Sequence, residues 1–229
     1  MGYTLSRWLI GLIFKVFWRP VIIGLDNVPA TGAVIIASNH LSFIDSVVIP
    51  LAVPRRVRFL AKSEYFEGAG LRGWVVRQFF RGVDAVPVRR ENQRDSMASL
   101  EAAMAVLRSG QAFGIYPEGT RSRDGRLYRG RTGVGWLALE SGAPIVPVAL
   151  LGTDRMQPVG ARLPRPARVR ITFGDVVDPA PWVRAVTDRG GAGRARREIT
   201  DAVMAAIAAL SPQPRANTYN ERAADDDEA

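Results

Sequence analysis

The sequence has 229 residues, 47% of them hydrophobic, and this size fits one domain with a substantial core. It contains no cysteine, which excludes disulfide bonds, thiolate metal sites and a cysteine nucleophile. The formal net charge is +9, and nearly all the positive charge is arginine, because Lys15 and Lys62 are the only lysines. Arginine binds phosphate through two points, so phospholipid headgroups, nucleotides or nucleic acid are suitable partners. The alternative is a base composition that favours arginine codons, so only arginines beside other reactive groups indicate a site.

The N-terminal segment is strongly apolar from residue 3 to residue 25. It contains Arg7, Lys15 and Arg19, so no uncharged run approaches the roughly 20 residues that a membrane-spanning helix needs. Apolar residues recur at helical spacing at Leu5, Trp8, Leu9, Leu12 and Val16. We predict an amphipathic helix over 1–18 that lies in the membrane interface. One alternative is that the apolar face of this helix packs on the rest of the protein. A cleaved signal peptide is less favoured, because no small-residue cleavage site closely follows the apolar run.

The region 19–210 alternates between two kinds of pattern and is predicted to form one domain. Short runs rich in β-branched residues, typical of buried strands, occur at 33–38, 56–61, 85–88, 112–116, 144–150 and 168–173. Helical patterns fit 44–52, 71–80, 93–109, 131–141 and 194–210, with Gly110 and Gly142 as C-terminal stops. This alternation predicts an α/β fold with a mixed, largely parallel sheet flanked by helices. In such sheets ligands bind beyond the carboxyl ends of the strands.

The last segment, 211–229, combines prolines with a closing acidic run and few large apolar residues. This composition is typical of chains that cannot bury enough apolar surface to fold. We therefore predict that 211–229 is a disordered acidic tail.

The string SNHLSFIDS, residues 38–46, follows the first strong strand and contains His40, the only histidine. His40 is therefore the one candidate for a base that titrates near neutrality. A strand-to-helix turn that puts Asp45 in the first helical turn would bring it to His40. Asp45 would then orient the imidazole, whose other nitrogen takes a proton from an attacking alcohol. The alternative is that Asp45 only caps the helix and His40 is a satisfied polar residue at a strand end.

A second polar string, YPEGTRS at 116–122, follows the strand predicted at 112–116 in the same way. Two such loops at strand ends can face one pocket. Gly119 permits close backbone approach, Thr120 offers a hydroxyl and an N–H, and Arg121 can hold an anion.

Two further basic pairs suit phosphate. Arg89 and Arg90 follow the strand predicted at 85–88, and Arg129 and Arg131 lie in YRGRTG before a helix, where glycines let backbone amides approach an anion. The alternative for either pair is a solvated edge.

These strings together resemble the 1-acyl-glycerol-3-phosphate acyltransferases within the wider glycerolipid acyltransferase superfamily. NHLSFID looks like the family's NHxSxxD block, VPVRRE like its second block, YPEGTRS like its third and APIVPVAL like its fourth. Order and spacing agree over roughly residues 20–175. Tyr116 stands where the family often has phenylalanine.

The resemblance implies direct transfer of a fatty acyl group from acyl-CoA or acyl carrier protein to the free hydroxyl of 1-acyl-glycerol-3-phosphate, giving phosphatidate. Other lysophospholipids, glycolipids or ornithine lipids are alternative acceptors. By this likeness His40 and Asp45 are catalytic, and the substrate-binding residues are Asn39, Ser42, Arg90, Glu118, Gly119, Thr120, Arg121 and Arg129. From the apolar N-terminal segment and the basic charge we also expect a peripheral or monotopic protein on an anionic membrane surface, at the cytoplasmic face. The single histidine and the absence of cysteine disfavour a protein-bound zinc site, and we expect no metal or other cofactor.

Two other classes of function are weighed against this one. A non-enzymatic basic protein that binds nucleic acid or an anionic membrane is disfavoured, because the arginines are scattered and no nucleic-acid motif accompanies them. A hydrolase with a nucleophilic serine is disfavoured, because the sequence has no GxSxG elbow.

Overall fold

A seven-stranded sheet organises the protein. The computed structural model describes residues 11, 14, 16–82, 84–88, 93–161, 163–186 and 189–221. The strands are β1 (Val21–Ile23), β2 (Val34–Ser38), β3 (Val57–Lys62), β4 (Val86–Val88), β5 (Ala112–Ile115), β6 (Ile145–Leu151) and β7 (Arg170–Phe173). They lie in the order β1-β7-β6-β2-β5-β3-β4. Every neighbouring pair is parallel except β6 and β7, which are antiparallel.

Helices connect the strands and cover both faces of the sheet. They are α1 (Asp45–Ala52), α2 (Glu64–Glu67), α3 (Gly70–Gly82), α4 (Gln93–Arg108), α5 (Gly133–Ser141), α6 (Thr153–Met156), α7 (Ala180–Ala185) and α8 (Arg189–Leu210). A short 3-10 turn, Leu25–Asn27, follows β1.

The core consists of two apolar layers, one on each face of the sheet. Residues alternate along β2, so Val34 and Ile36 belong to the layer that contains α1, while Ile35 and Ala37 face α4, α5 and α8. All five residues of β2 are buried. A strand that is covered on both faces needs a continuous apolar run, which is the pattern that the sequence has here.

The predicted fold class is confirmed: the sheet is mixed, largely parallel and flanked by helices. All six predicted strands and all five predicted helices are present, with ends shifted by up to five residues. Gly142 ends α5 with φ 66°, a left-handed conformation that glycine adopts without strain. The strand β1 was not predicted, because its three residues lie within the apolar N-terminal segment and pair only with β7.

The C-terminal end differs from the prediction of disorder over 211–229. Residues 211–221 run back across the domain and form main-chain hydrogen bonds, including Leu127 N to Pro214 O at 2.9 Å and Arg129 N to Thr218 O at 3.0 Å. These bonds need no large apolar side chains, so composition does not reveal them. Residues 222–229 lie outside the described residues.

Most of the predicted N-terminal helix also lies outside the described residues, which include only 11, 14 and 16–18 of it. Those residues are helical. Phe14 is buried in the core and stacks on Trp18, whereas Val16 and Phe17 are exposed. Within the described ranges, no helix is both long and apolar enough to cross a membrane.

Candidate functional site

The two polar loops predicted to face one pocket lie side by side at the carboxyl ends of β2 and β5. These strands are parallel neighbours, with Ala37 paired to Ile115 in the last register position. A main-chain hydrogen bond of 2.7 Å from Ser122 N to His40 O joins the loops directly. The sheet therefore brings SNHLSFIDS and YPEGTRS together.

His40 and Asp45 are in hydrogen-bond contact. The imidazole Nδ1 lies 2.9 Å from Asp45 Oδ2, and Asp45 is fully buried at the first turn of α1. The same oxygen accepts the main-chain N–H groups of Leu41 at 2.7 Å and Ser42 at 2.8 Å. Because an ionised carboxylate only accepts, Nδ1 carries the hydrogen in this contact and Nε2 has a free lone pair. Among the described residues, no protein group bonds Nε2.

Tyr116 fixes the plane of the imidazole ring. The rings of Tyr116 and His40 are stacked, with centroids 3.7 Å apart and planes inclined by 7°. The Tyr116 hydroxyl lies 2.9 Å from Ser46 Oγ on α1, and Phe59 packs near Tyr116 with a centroid distance of 5.2 Å. His40 is thus held at its edge by Asp45 and on one face by Tyr116.

Glu118 ties the loop that holds His40 to the loop that joins β5 to α5, from a fully buried position. Its Oε1 accepts the N–H of His40 at 3.1 Å, and its Oε2 accepts the N–H of Tyr128 at 2.9 Å. Burial raises the pKa of Glu118 to about 7, and the two N–H donors oppose that rise. Glu118 therefore positions the backbone of His40.

A cavity of about 560 Å³ opens beside His40. Part of its wall is apolar and includes the packed aromatic rings of Phe43, Tyr65 and Phe80. A polar part of the wall is formed by Gly119, Thr120, Arg121, Arg131 and Thr132. The cavity can therefore hold a molecule with a long apolar portion and an anionic group, with the imidazole in contact with it.

Six of the eight predicted binding residues fall into two groups of three. Gly119, Thr120 and Arg121 line the cavity beside His40. Three others are buried and bond to protein groups instead: Asn39, Ser42 and Glu118.

Asn39 spans β2 and β6, because its Nδ2 donates to Leu150 O at 3.0 Å and its Oδ1 accepts from Leu150 N at 2.7 Å. The Ser42 hydroxyl donates to Gln157 O at 2.7 Å. Asn39, Ser42 and Glu118, which are predicted to bind substrate, thus bond through their side chains to protein groups. Their hydrogen bonds hold the loop in shape.

Arg129 does not line the cavity of His40. Its guanidinium lies over the ring of Tyr219, 5.2 Å from the centroid, at a separate surface pocket. Arg131, from the same predicted pair, lines the cavity of His40 instead. The sequence did not distinguish the two, since both flank Gly130. Arg90 lies outside the described residues.

Comparison with known proteins places this site in a family. The family model described as Acyltransferase matches residues 19–151, more than half of the chain, and both polar loops fall within the match. The chain belongs to the acyltransferase family. This confirms the resemblance predicted from the sequence strings.

Several curated relatives are named 1-acyl-sn-glycerol-3-phosphate acyltransferase. A chloroplastic 1-acyl-sn-glycerol-3-phosphate acyltransferase of Brassica napus is 32% identical over 146 residues, which is 63% of this chain and 41% of the relative. The 1-acyl-sn-glycerol-3-phosphate acyltransferase of Bacillus subtilis is 29% identical over 159 residues, 69% of this chain and 73% of the relative. The chain spans about two fifths of the length of the chloroplast relatives of Brassica napus and Arabidopsis thaliana, at 41% and 39%.

The fold also has a counterpart among solved structures. The crystal structure of the 1-acyl-sn-glycerophosphate acyltransferase PlsC from Thermotoga maritima superposes with a TM-score of 0.63. The match covers 90% of this chain and 82% of that chain at 22% sequence identity. At this identity the likeness supports the fold.

Proposed function

We propose that the protein transfers a fatty acyl group from an acyl thioester to the free hydroxyl of 1-acyl-glycerol-3-phosphate and so forms phosphatidate. The observation that carries this proposal is the 2.9 Å contact between His40 Nδ1 and Asp45 Oδ2, in a loop that faces the cavity. The family of the chain and the names of its relatives support the reaction class. The thioester is acyl-CoA or acyl carrier protein, and the reaction needs no metal or other cofactor.

The proposed reaction begins with His40. Nε2 takes the proton of the acceptor hydroxyl as its oxygen attacks the thioester carbonyl, and buried Asp45 stabilises the imidazolium that forms. The tetrahedral intermediate then expels the thiolate, and the imidazolium returns the proton to sulfur. The products are an ester and a free thiol, so no acyl-enzyme forms and no nucleophilic side chain is required.

The acceptor phosphate is proposed to bind at the polar part of the cavity wall. Arg121 and Arg131 are the cations there, and Gly119 and Thr120 line the same cavity. A phosphate held by two guanidinium groups would fix the glycerol hydroxyl near Nε2. Positioning of this kind lowers the barrier because the two reactants no longer need to find each other's orientation.

The apolar part of the wall is proposed to receive acyl chain. The aromatic rings of this part of the wall pack edge-on or face-on against one another at Phe43, Tyr65 and Phe80, so they offer a largely apolar surface. Burial of methylene groups there supplies roughly 0.8 kcal/mol each.

The test is an acceptor series with a labelled oleoyl or palmitoyl thioester. Lysophosphatidate, lysophosphatidylcholine and lysophosphatidylethanolamine differ in the headgroup alone. We expect the highest kcat/KM with lysophosphatidate, because its phosphate monoester carries the most charge toward Arg121 and Arg131. Preference for another lysolipid would support the acyl-transfer reaction but reject lysophosphatidate as the acceptor. Absence of transfer to every acceptor would reject the proposal.

We also propose that the protein works at an anionic membrane surface on the cytoplasmic face, attached through its N-terminal segment. Support comes from Val16 and Phe17, which are 56% and 71% exposed at the end of that segment. Trp18 anchors the segment to the domain through a 2.8 Å hydrogen bond from Nε1 to Arg165 O. Deletion of residues 1–18 should move the protein from the membrane fraction to the soluble fraction, and unchanged partitioning would reject this attachment.

A further inference from the structure

The C-terminal strap, defined as residues 211–221, packs against the loop that joins β5 to α5. Leu127 N donates to Pro214 O, Ala216 N donates to Leu127 O at 2.8 Å, and Arg129 N donates to Thr218 O. Leu127 and Arg215 form a parallel bridge. The strap therefore runs alongside this loop and is held to it by main-chain hydrogen bonds.

The first half of the strap contacts the loop that holds His40. Gln213 Oε1 accepts from Asn39 Nδ2 at 2.6 Å, and Gln213 Nε2 donates to Gly125 O at 3.0 Å. Asn39 is the immediate neighbour of His40 and is fully buried. Gln213 thus bridges the loop that holds His40 and the loop that joins β5 to α5.

The second half of the strap contacts the proposed phosphate site. Asn220 is 9% exposed, and its Nδ2 donates to the main-chain carbonyl of Arg121 at 3.0 Å. Its own main-chain carbonyl accepts from Arg131 Nη2 at 3.1 Å. The guanidinium of Arg131 also lies over the ring of Tyr219, 5.6 Å from the centroid.

Arg131 has few other ways to hold its position, because its side chain is exposed and runs across Gly119. A long exposed arginine samples many rotamers, and each contact that orders it before the ligand arrives reduces the entropy lost on binding. The main-chain carbonyl of Asn220 and the ring of Tyr219 supply two such ordering contacts to Arg131.

We propose that Tyr219 and Asn220 are positioning residues for the acceptor phosphate, which set Arg131 and the backbone of Arg121 in the cavity wall. This inference rests on the proposed function. The strap lies outside residues 19–151, which match the family model.

The experiment compares steady-state kinetics of Asn220→Ala and Tyr219→Leu with those of the wild type. We expect the KM for lysophosphatidate to rise between about threefold and tenfold, the effect of one lost hydrogen bond or cation–π contact. The kcat and the KM for the acyl thioester should stay within about twofold, since neither substitution changes His40 or Asp45. Two matched controls should behave as the wild type. Tyr219→Phe keeps the aromatic ring, and Asn217→Ala changes an exposed residue of the strap.

An unchanged acceptor KM in both variants would overturn the inference. So would an equal loss for both substrates together with a lower melting temperature, which is the signature of a purely stabilising strap. Failure of the proposed function is visible separately, as absence of transfer by the wild type. In that case calorimetric titration with lysophosphatidate decides: weaker binding to Asn220→Ala than to Asn217→Ala supports the inference, and equal or absent binding overturns it.

Discussion

The phenol of Tyr116 lies flat on the imidazole of His40, with ring centroids 3.7 Å apart, and its hydroxyl reaches Ser46 Oγ at 2.9 Å. This contact connects the end of β5 to α1, the helix that begins at Asp45. The aromatic ring therefore orients His40 on one face while the hydroxyl holds the ring.

Tyr116→Phe keeps the stack and removes the hydrogen bond to Ser46. We expect kcat to fall about two- to fivefold, since a net hydrogen bond is worth about 1 kcal/mol. Ser46→Ala should produce the same loss, and the double variant no further loss, because both changes remove one interaction. Transfer kinetics of the three variants test this. Losses that multiply in the double variant would contradict it.

Gly119→Ala tests the contact between the YPEGTRS loop and Arg131. Gly119 has φ 85°, and an added Cβ would lie 2.9 Å from Arg131 Cδ. We expect a loss of about 1–2 kcal/mol in the free energy of unfolding from backbone strain, together with a higher KM for lysophosphatidate as Arg131 is displaced. Urea unfolding and transfer kinetics measure the two effects.

The matched control is Gly32→Ala, at the opposite end of β2. Gly32 has φ 80°, and no atom lies within 4 Å of an added Cβ. Gly32→Ala should lower the free energy of unfolding by a similar amount and leave the KM for lysophosphatidate unchanged. Equal KM values for the two variants would contradict the proposed role of Arg131.

Glu118 makes stability depend on pH. Its pKa is about 7 in the folded protein against an ordinary value of 4.5, because the carboxyl is buried. Between these pH values the folded state binds more protons than the unfolded state, so the free energy of unfolding falls as pH rises. The fall amounts to about 3 kcal/mol and ends near pH 7. Urea unfolding of the wild type and Glu118→Gln from pH 4 to 8 should give a difference that changes over this interval. A constant difference would contradict the raised pKa.

The sequence predicted the sheet well where burial imposes a pattern. The run from Val34 to Ala37 is apolar because both faces of β2 are covered, and a covered parallel strand has few other compositions available. The adjacency of His40 and Glu118 follows from the same logic, since polar loops after neighbouring parallel strands meet at one edge of the sheet. The 2.9 Å contact of His40 with Asp45 needed only that Asp45 begin α1.

The sequence did not distinguish residues that line the cavity from residues that shape it. Asn39 and Ser42 bond to carbonyls at Leu150 and Gln157, more than 100 positions away, and sequence spacing carries no information on such partners. The strap was missed for a related reason: several of its bonds, including those of Leu127 and Arg129, are main-chain bonds, which composition does not record.

The most direct test of the account is transfer from a labelled oleoyl thioester to lysophosphatidate by the wild type and by His40→Ala, with equal folding of both proteins verified by circular dichroism. General base catalysis contributes roughly 100- to 10,000-fold, so we expect kcat of His40→Ala to fall by at least about 100-fold. Asp45→Asn, which leaves the imidazole without its anionic partner, should also be strongly impaired. Retention of more than about a tenth of the wild-type kcat by folded His40→Ala would contradict the account, because the general base would then be another group.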